Sequence, residues 1–179
     1  GPIAGALLGV GVIGLSVGAA LAAAINDGMQ QEANLDLFQA RTKTTEAQAR
    51  KFGLAAGEAY SDAFGESVEA NLSTLTLALQ SNVIDPGATQ QDAEKVIASL
   101  DTISTALDGE VSQSVLAVSS LMSTGLAASA QEASDMIANA VGGSANKQGD
   151  LLETISEYSA GWKNAGISAE MALALIEQS

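Results

Sequence analysis

The sequence predicts an all-α chain: an apolar N-terminal helix followed by several helices of a bundle, oligomeric rather than a compact monomeric domain. Three observations carry this. Residues 1–25 hold no charged side chain, and the first charge is Asp27. Helix-start and helix-stop signals recur along the rest of the chain, and no stretch reads convincingly as a β-strand. Aromatic residues make up only 3% of a chain that is 47% hydrophobic and rich in alanine and serine. Large side chains dominate core energetics, so such a chain suits long helices packed on partners better than a thick globular core.

Residues 1–26 form the first predicted segment, a membrane-spanning helix. An uncharged apolar run of this length reads as a span. Residues 3–25 reach roughly 34 Å as a helix, against about 30 Å of hydrocarbon. The run holds Ile3, Leu7, Leu8, Val10, Val12, Ile13, Leu15, Val17, Leu21 and Ile25. At about −0.3 to −0.6 kcal/mol each they favour insertion by on the order of 3–6 kcal/mol, less the opposing glycine and serine contributions. Small residues fall in rows at Gly5, Gly9, Gly14, Gly18 and Ala22. Such rows let helices approach closely in lipid, so these positions are the candidate helix–helix contacts. Burial in a large protein assembly is the alternative. A secretory signal is not expected, because the first cation is Arg41 and no basic region precedes the run. With no initiator methionine, the reading favours an internal fragment over a protease scar at Gly1-Pro2.

Gly9-Val10-Gly11-Val12-Ile13-Gly14 also matches the glycine pattern of a dinucleotide fingerprint. That motif needs a flanking strand and helix, then a second strand ending in an acid. Residues 26–40 contain no β-branched side chain where the second strand is due. A nicotinamide or flavin oxidoreductase is therefore a remote alternative, and no cofactor is expected.

Charge and composition exclude several functions. Seven cations face 21 anions, a net charge of −14. Nucleic-acid binding runs on cations that displace phosphate counterions. Cysteine and histidine are absent, which removes disulfides, thiolate nucleophiles, Ser-His-Asp triads and the usual zinc sites. The densest carboxylates are Asp101/Asp108/Glu110, Glu132/Asp135 and Asp150/Glu153/Glu157. A carboxylate hydrolase needs them in a ligand-lined cleft, so they read as solvated helix faces. No enzyme is predicted, and no metal site. Arg41, Lys43, Arg50 and Lys51 form one cationic cluster past the span. They are candidate lipid-headgroup contacts, with a solvated helix face as the plainer reading.

Residues 27–84 form a polar helical segment. Residues 27–42 continue as helix. Thr45 and Gln48 form a capping box for a helix expected to break near Gly53, Gly57 and Gly65. Residues 66–84 read as helix despite a Thr/Leu alternation, and Asp85-Pro86-Gly87 is a turn. Residues 88–179 form a helical-hairpin bundle. Thr89 to Asp92 caps a helix whose stripe is Ala93, Val96, Ile97, Leu100, Ile103 and Leu107, stopping at Asp108-Gly109. A helix over 110–123 ends at Gly125 with Leu126 as its apolar partner. Ser129 and Glu132 box the next, which ends at Gly142-Gly143. Residues 145–164 carry Leu151, Leu152, Ile155, Tyr158 and Trp162 at helical spacing, and a last helix covers 169–177. The pair Gly-[Leu/Ile] at 53, 125 and 166 hints at a repeated unit.

Residues 120–144, SLMSTGLAASAQEASDMIANAVGGS, and 150–176, DLLETISEYSAGWKNAGISAEMALALI, together with 57–69, GEAYSDAFGESVE, resemble the tape measure proteins of long-tailed, siphovirus-type bacteriophages of actinobacteria. The resemblance implies a chain in the lumen of the virion tail that sets tail length. On infection it would leave ahead of the DNA and place its apolar segment in the host cell membrane as a channel. Implied partners are copies of itself as a trimer or hexamer, the tail tube and distal tip proteins, host membrane lipids, and phage DNA passing without specific binding. A different membrane-active pore former, holin- or toxin-like, is the alternative, as is a helical tail-core protein whose apolar run never meets lipid.

Overall fold

The computed structural model describes residues 29–142 and 149–177. Among these, every regular element is an α-helix: α1 Met29–Thr42, α2 Glu46–Ser61, α3 Val68–Gln80, α4 Gln90–Leu107, α5 Val111–Ser123, α6 Ala130–Gly142, α7 Leu151–Asn164 and α8 Ala169–Glu177. The longest has 18 residues, shorter than the long helices expected. They gather in two compact units. One takes the chain up to 79 together with 85–98, the other 80–84 with 99 onward.

Helix starts are built from side chains that satisfy orphan backbone donors. The Gln48 N–H donates to Thr45 Oγ1 at 3.2 Å, and Thr45 N–H to Gln48 Oε1 at 2.9 Å. Thr89 and Asp92 repeat this ahead of α4, at 3.1 and 3.2 Å. The Ala70 N–H donates to Ser67 Oγ, and the Met171 N–H to Ser168 Oγ. Glu132 departs from the expected box. Its N–H reaches Ser129 Oγ at 3.1 Å, but its carboxylate accepts from Ala128, one residue earlier than the cap.

Helix ends close by two bonds from the C′ and C″ amides, the Schellman pattern. At α5 these run from Gly125 to Met122 O (3.0 Å) and from Leu126 to Leu121 O (3.0 Å). At α7 they run from Gly166 to Lys163 O (3.1 Å) and from Ile167 to Trp162 O (2.9 Å). Both glycines are left-handed, with φ of 74° and 71°. The expected third Gly-[Leu/Ile] stop, Gly53-Leu54, is instead interior to α2, so that repeat fails. α2 ends later with the same bonds from Ala63 and Phe64. α4 ends with them from Asp108 and Gly109. The left-handed residue at these two ends is not glycine: Ala63 has φ 68° and Asp108 φ 51°.

In the first unit α2 also runs unbroken through Gly57. Each interior glycine costs about 1 kcal/mol against alanine. Close packing offsets this at Gly53, where an added Cβ would stand 2.9 Å from Leu35 Cδ2 of α1. Phe38 of α1 and Phe52 of α2 meet with ring centroids 5.8 Å apart, tilted by 54°. α3 stops at Gln80 rather than 84. Its alternating threonines are accommodated because Thr74 and Thr76 donate to the carbonyls of Ala70 and Leu72, at 3.1 and 2.9 Å.

A buried asparagine ties α3 to the end of α2. Asn71 is 1% exposed, and its Nδ2 donates to Ala56 O (3.0 Å) and Phe64 O (2.9 Å). Gly65, at φ 79°, lies under that amide, and a Cβ there would fall 2.0 Å from Asn71 Oδ1. Gly65 thus does more than interrupt a helix.

In the second unit α5 packs on α7 and α6, and α8 packs on α6 and α7. Ser114, Val115, Ala117, Val118 and Leu121 form the buried face of α5. The Ser104 and Ser114 hydroxyls pair at 2.8 Å, and Ser104 also donates to Leu100 O at 2.7 Å. α7 begins at Leu151, after a left-handed Gly149 (φ 76°), later than the expected 145. Its buried stripe is Leu151, Leu152, Ile155 and Ser159. Tyr158, placed in that stripe by spacing, is 52% exposed.

Three outcomes follow from these contacts. Ala63→Gly and Asp108→Gly each raise stability by about 0.5–1 kcal/mol by relieving left-handed strain. Gly125→Ala and Gly166→Ala each lower it by about 1 kcal/mol; denaturant midpoints measure all four. Asn71→Ala costs about 1–3 kcal/mol by orphaning two carbonyls. Asn71→Asp costs more at neutral pH and recovers on acidification, because the protonated acid can donate once. Lastly, the Thr89 hydroxyl and backbone N–H, with Lys95 adding, hold the Asp92 carboxyl below its ordinary value of 3.8. A depressed value stabilises the fold above 3.8 and ceases to do so as pH falls through the folded-state value. The stability gap between the parent and Asp92→Asn is therefore widest above that pH and closes below it, as acid titration of helicity would record.

Candidate functional site

The rows of small residues, Gly5, Gly9, Gly14, Gly18 and Ala22, lie outside the described residues, as do the whole predicted span and the glycine fingerprint at 9–14. No described helix is long and apolar enough to cross a membrane. The context that the fingerprint requires is testable in part. Where its second strand would fall, the chain forms α1, so the dinucleotide reading loses its βαβ unit.

The four clustered cations sit on α1, α2 and the turn between them, and each has its own surroundings. Arg41 lines a shallow groove with Glu69, floored by Phe38 and Leu72 and edged by Leu37 and Thr76. Lys43 holds the left-handed position after α1, with φ 56° and its N–H on Gln39 O at 2.8 Å. Arg50 reaches back one turn to Glu46, with Nε and Nη2 at 3.1 and 3.0 Å from one carboxylate oxygen. Both partners are half or more exposed, so the pair is worth only about 0.3–0.5 kcal/mol. Lys51 donates to Pro86 O at 3.4 Å and lies 5.0 Å from the Phe52 ring centroid. At least two of the four cations therefore serve local packing in the first unit.

The carboxylate groups hold helix ends and faces. The Asp92 and Glu132 carboxylates accept from the Thr89 and Ala128 amides at the starts of α4 and α6. Asp135 accepts from Gln131 one turn earlier at 2.9 Å. Glu153 and Glu157 are exposed on α7. No group of three or more acidic, histidine or cysteine side chains among the described residues is placed to hold a metal ion.

Sequence reasoning missed Asn71. The available signal was an amide inside a leucine-rich helix whose one charge is Glu69 in the first turn, six residues after a glycine. A buried amide of this kind survives only with partners, and the partners come from α2 and the turn that follows it.

The described residues form packed helices. Over 94 residues the chain is 34% identical to a protein described as a probable tape measure protein of Streptomyces phage phiC31. The matched stretch is 52% of this chain and 13% of the phage protein's length. No family model matches, and no solved structure matches. The chain therefore contains a tape-measure-like segment.

Proposed function

We propose that this chain is part of a phage tail tape measure protein, a structural component without catalytic activity. The single observation that carries the reading is the 34% identity over 94 residues to the phage phiC31 protein. An all-helical described chain supports it, since a helix advances by a constant rise per residue and can act as a ruler. In this reading the chain lies in the tail lumen as a trimer or hexamer, against tail tube and distal tip proteins. Its net charge of −14 repels phosphate, so DNA passes without specific binding.

The finer part of the proposal concerns residues 1–26. On infection this uncharged segment enters the host cell membrane, and copies associate through Gly5, Gly9, Gly14, Gly18 and Ala22 to form a channel. Arg41, Lys43, Arg50 and Lys51 follow within 25 residues of Asn26, near enough to meet anionic headgroups if local contacts loosen.

The two parts are tested separately. In a phage carrying this chain, in-frame removal of residues 90–142 shortens the tail by about 1.5 Å per residue deleted, measured by electron microscopy; an unchanged tail refutes the ruler. Purified chain added to dye-loaded vesicles releases dye, and Gly9→Leu with Gly14→Leu reduces both release and oligomer size in detergent. Vesicles that stay sealed at every pH and composition refute the channel.

A further inference from the structure

We propose that the second unit shelters a further membrane-entering segment, residues 111–131, that lines the channel with one face in lipid and the other in water. The inference rests on the channel reading above. Between Glu110 and Glu132 the chain carries no charged side chain for 21 residues. As α5 it is only 13 residues long and lies at the centre of the unit against α6 and α7. It stops because Gly125 turns left-handed at φ 74°.

A longer helix requires that this turn be undone, together with the Ser129 cap and the Ala128–Glu132 bond that start α6. Gly125 is free to adopt right-handed helical angles, and no proline occurs in the stretch. Continued through Gly125, the helix is about 32 Å long, enough for a hydrocarbon core. At 3.6 residues per turn, Val111, Val115, Val118, Met122 and Leu126 then form one apolar stripe, with Ser129 on the same line near its end. Gln113, Ser120, Thr124 and Gln131 fall on the opposite side. A helix carrying that many amides and hydroxyls does not suit a site surrounded by lipid, but it suits the wall of a water-filled channel. Two hydroxyls already bond locally: Thr124 Oγ1 donates to Ser120 O at 2.7 Å, and Ser123 Oγ to the same carbonyl at 3.3 Å. Glu110 and Glu132 stay at the two ends, among headgroups and water.

The chain has no native cysteine, so a single one reports one position. Met122→Cys, half-buried in the folded unit, and Leu15→Cys in the N-terminal run each carry a fluorophore. Each full-length chain is added to phosphatidylcholine/phosphatidylglycerol vesicles bearing nitroxides at mid-acyl depth. Quenching at both positions is expected. Quenching at Leu15 alone overturns the second segment and leaves the channel reading intact; quenching at neither overturns both. Gly125→Ala strains the turn and favours the continuous helix, so it is expected to increase quenching at Met122. No increase overturns the straightening at Gly125, and the span with it.

Discussion

Helix ends are the constraint on which the rest of this structure depends. Each end of a helix leaves backbone groups without intrahelical partners, and a chain with 3% aromatic residues has little large apolar surface to offset that cost. The described helices resolve it locally. Hydroxyls, a side-chain amide or carboxylates meet the first-turn amides, and paired C′ and C″ amides close four of the C-termini. Once the ends are satisfied, modest cores suffice, and alanine recurs in both units. Small side chains bring backbones close, so Gly53 meets Leu35 directly.

Buried polarity is handled by the same means. Ser104 and Ser114 satisfy each other, Ser159 bonds the carbonyl of Ile155 one turn back, and Asn71 bridges two backbone carbonyls across a helix junction. A chain built this way keeps hydroxyls inside helices without leaving donors orphaned. That property suits helices that exchange one apolar environment for another, whether a packed unit, a bundle of copies or a bilayer.

Charge and composition bound what the chain can do. The acidic balance and the absence of histidine and cysteine remove most chemistry; among the described carboxylates, Asp92 and Glu132 accept at helix starts and Glu153 and Glu157 face solvent. The similarity to a phage tape measure protein supports the proposed role, in which helices, length and repulsion of DNA matter and catalysis does not. Residues 1–26 would add membrane entry to that role.

Much of the secondary structure was legible in the sequence, and little of the candidate site was. Thr45/Gln48, Thr89/Asp92, Gly125-Leu126 and Gly166-Ile167 mark helix limits because capping acts over three to six residues, within reach of a short stretch of sequence. The uncharged run at 1–26 and its rows of small residues are likewise plain from the sequence. Tertiary structure decided the rest. Gly53 stays inside α2 because α1 lies against it. Ala63 and Asp108 take left-handed positions usual for glycine because the chain must turn there to pack the next helix. Tyr158 faces out because α7 buries Ser159 and Ile155 instead, and Asn71 is held by carbonyls 15 and seven residues away. These outcomes depend on neighbours supplied by other elements, which no local pattern encodes.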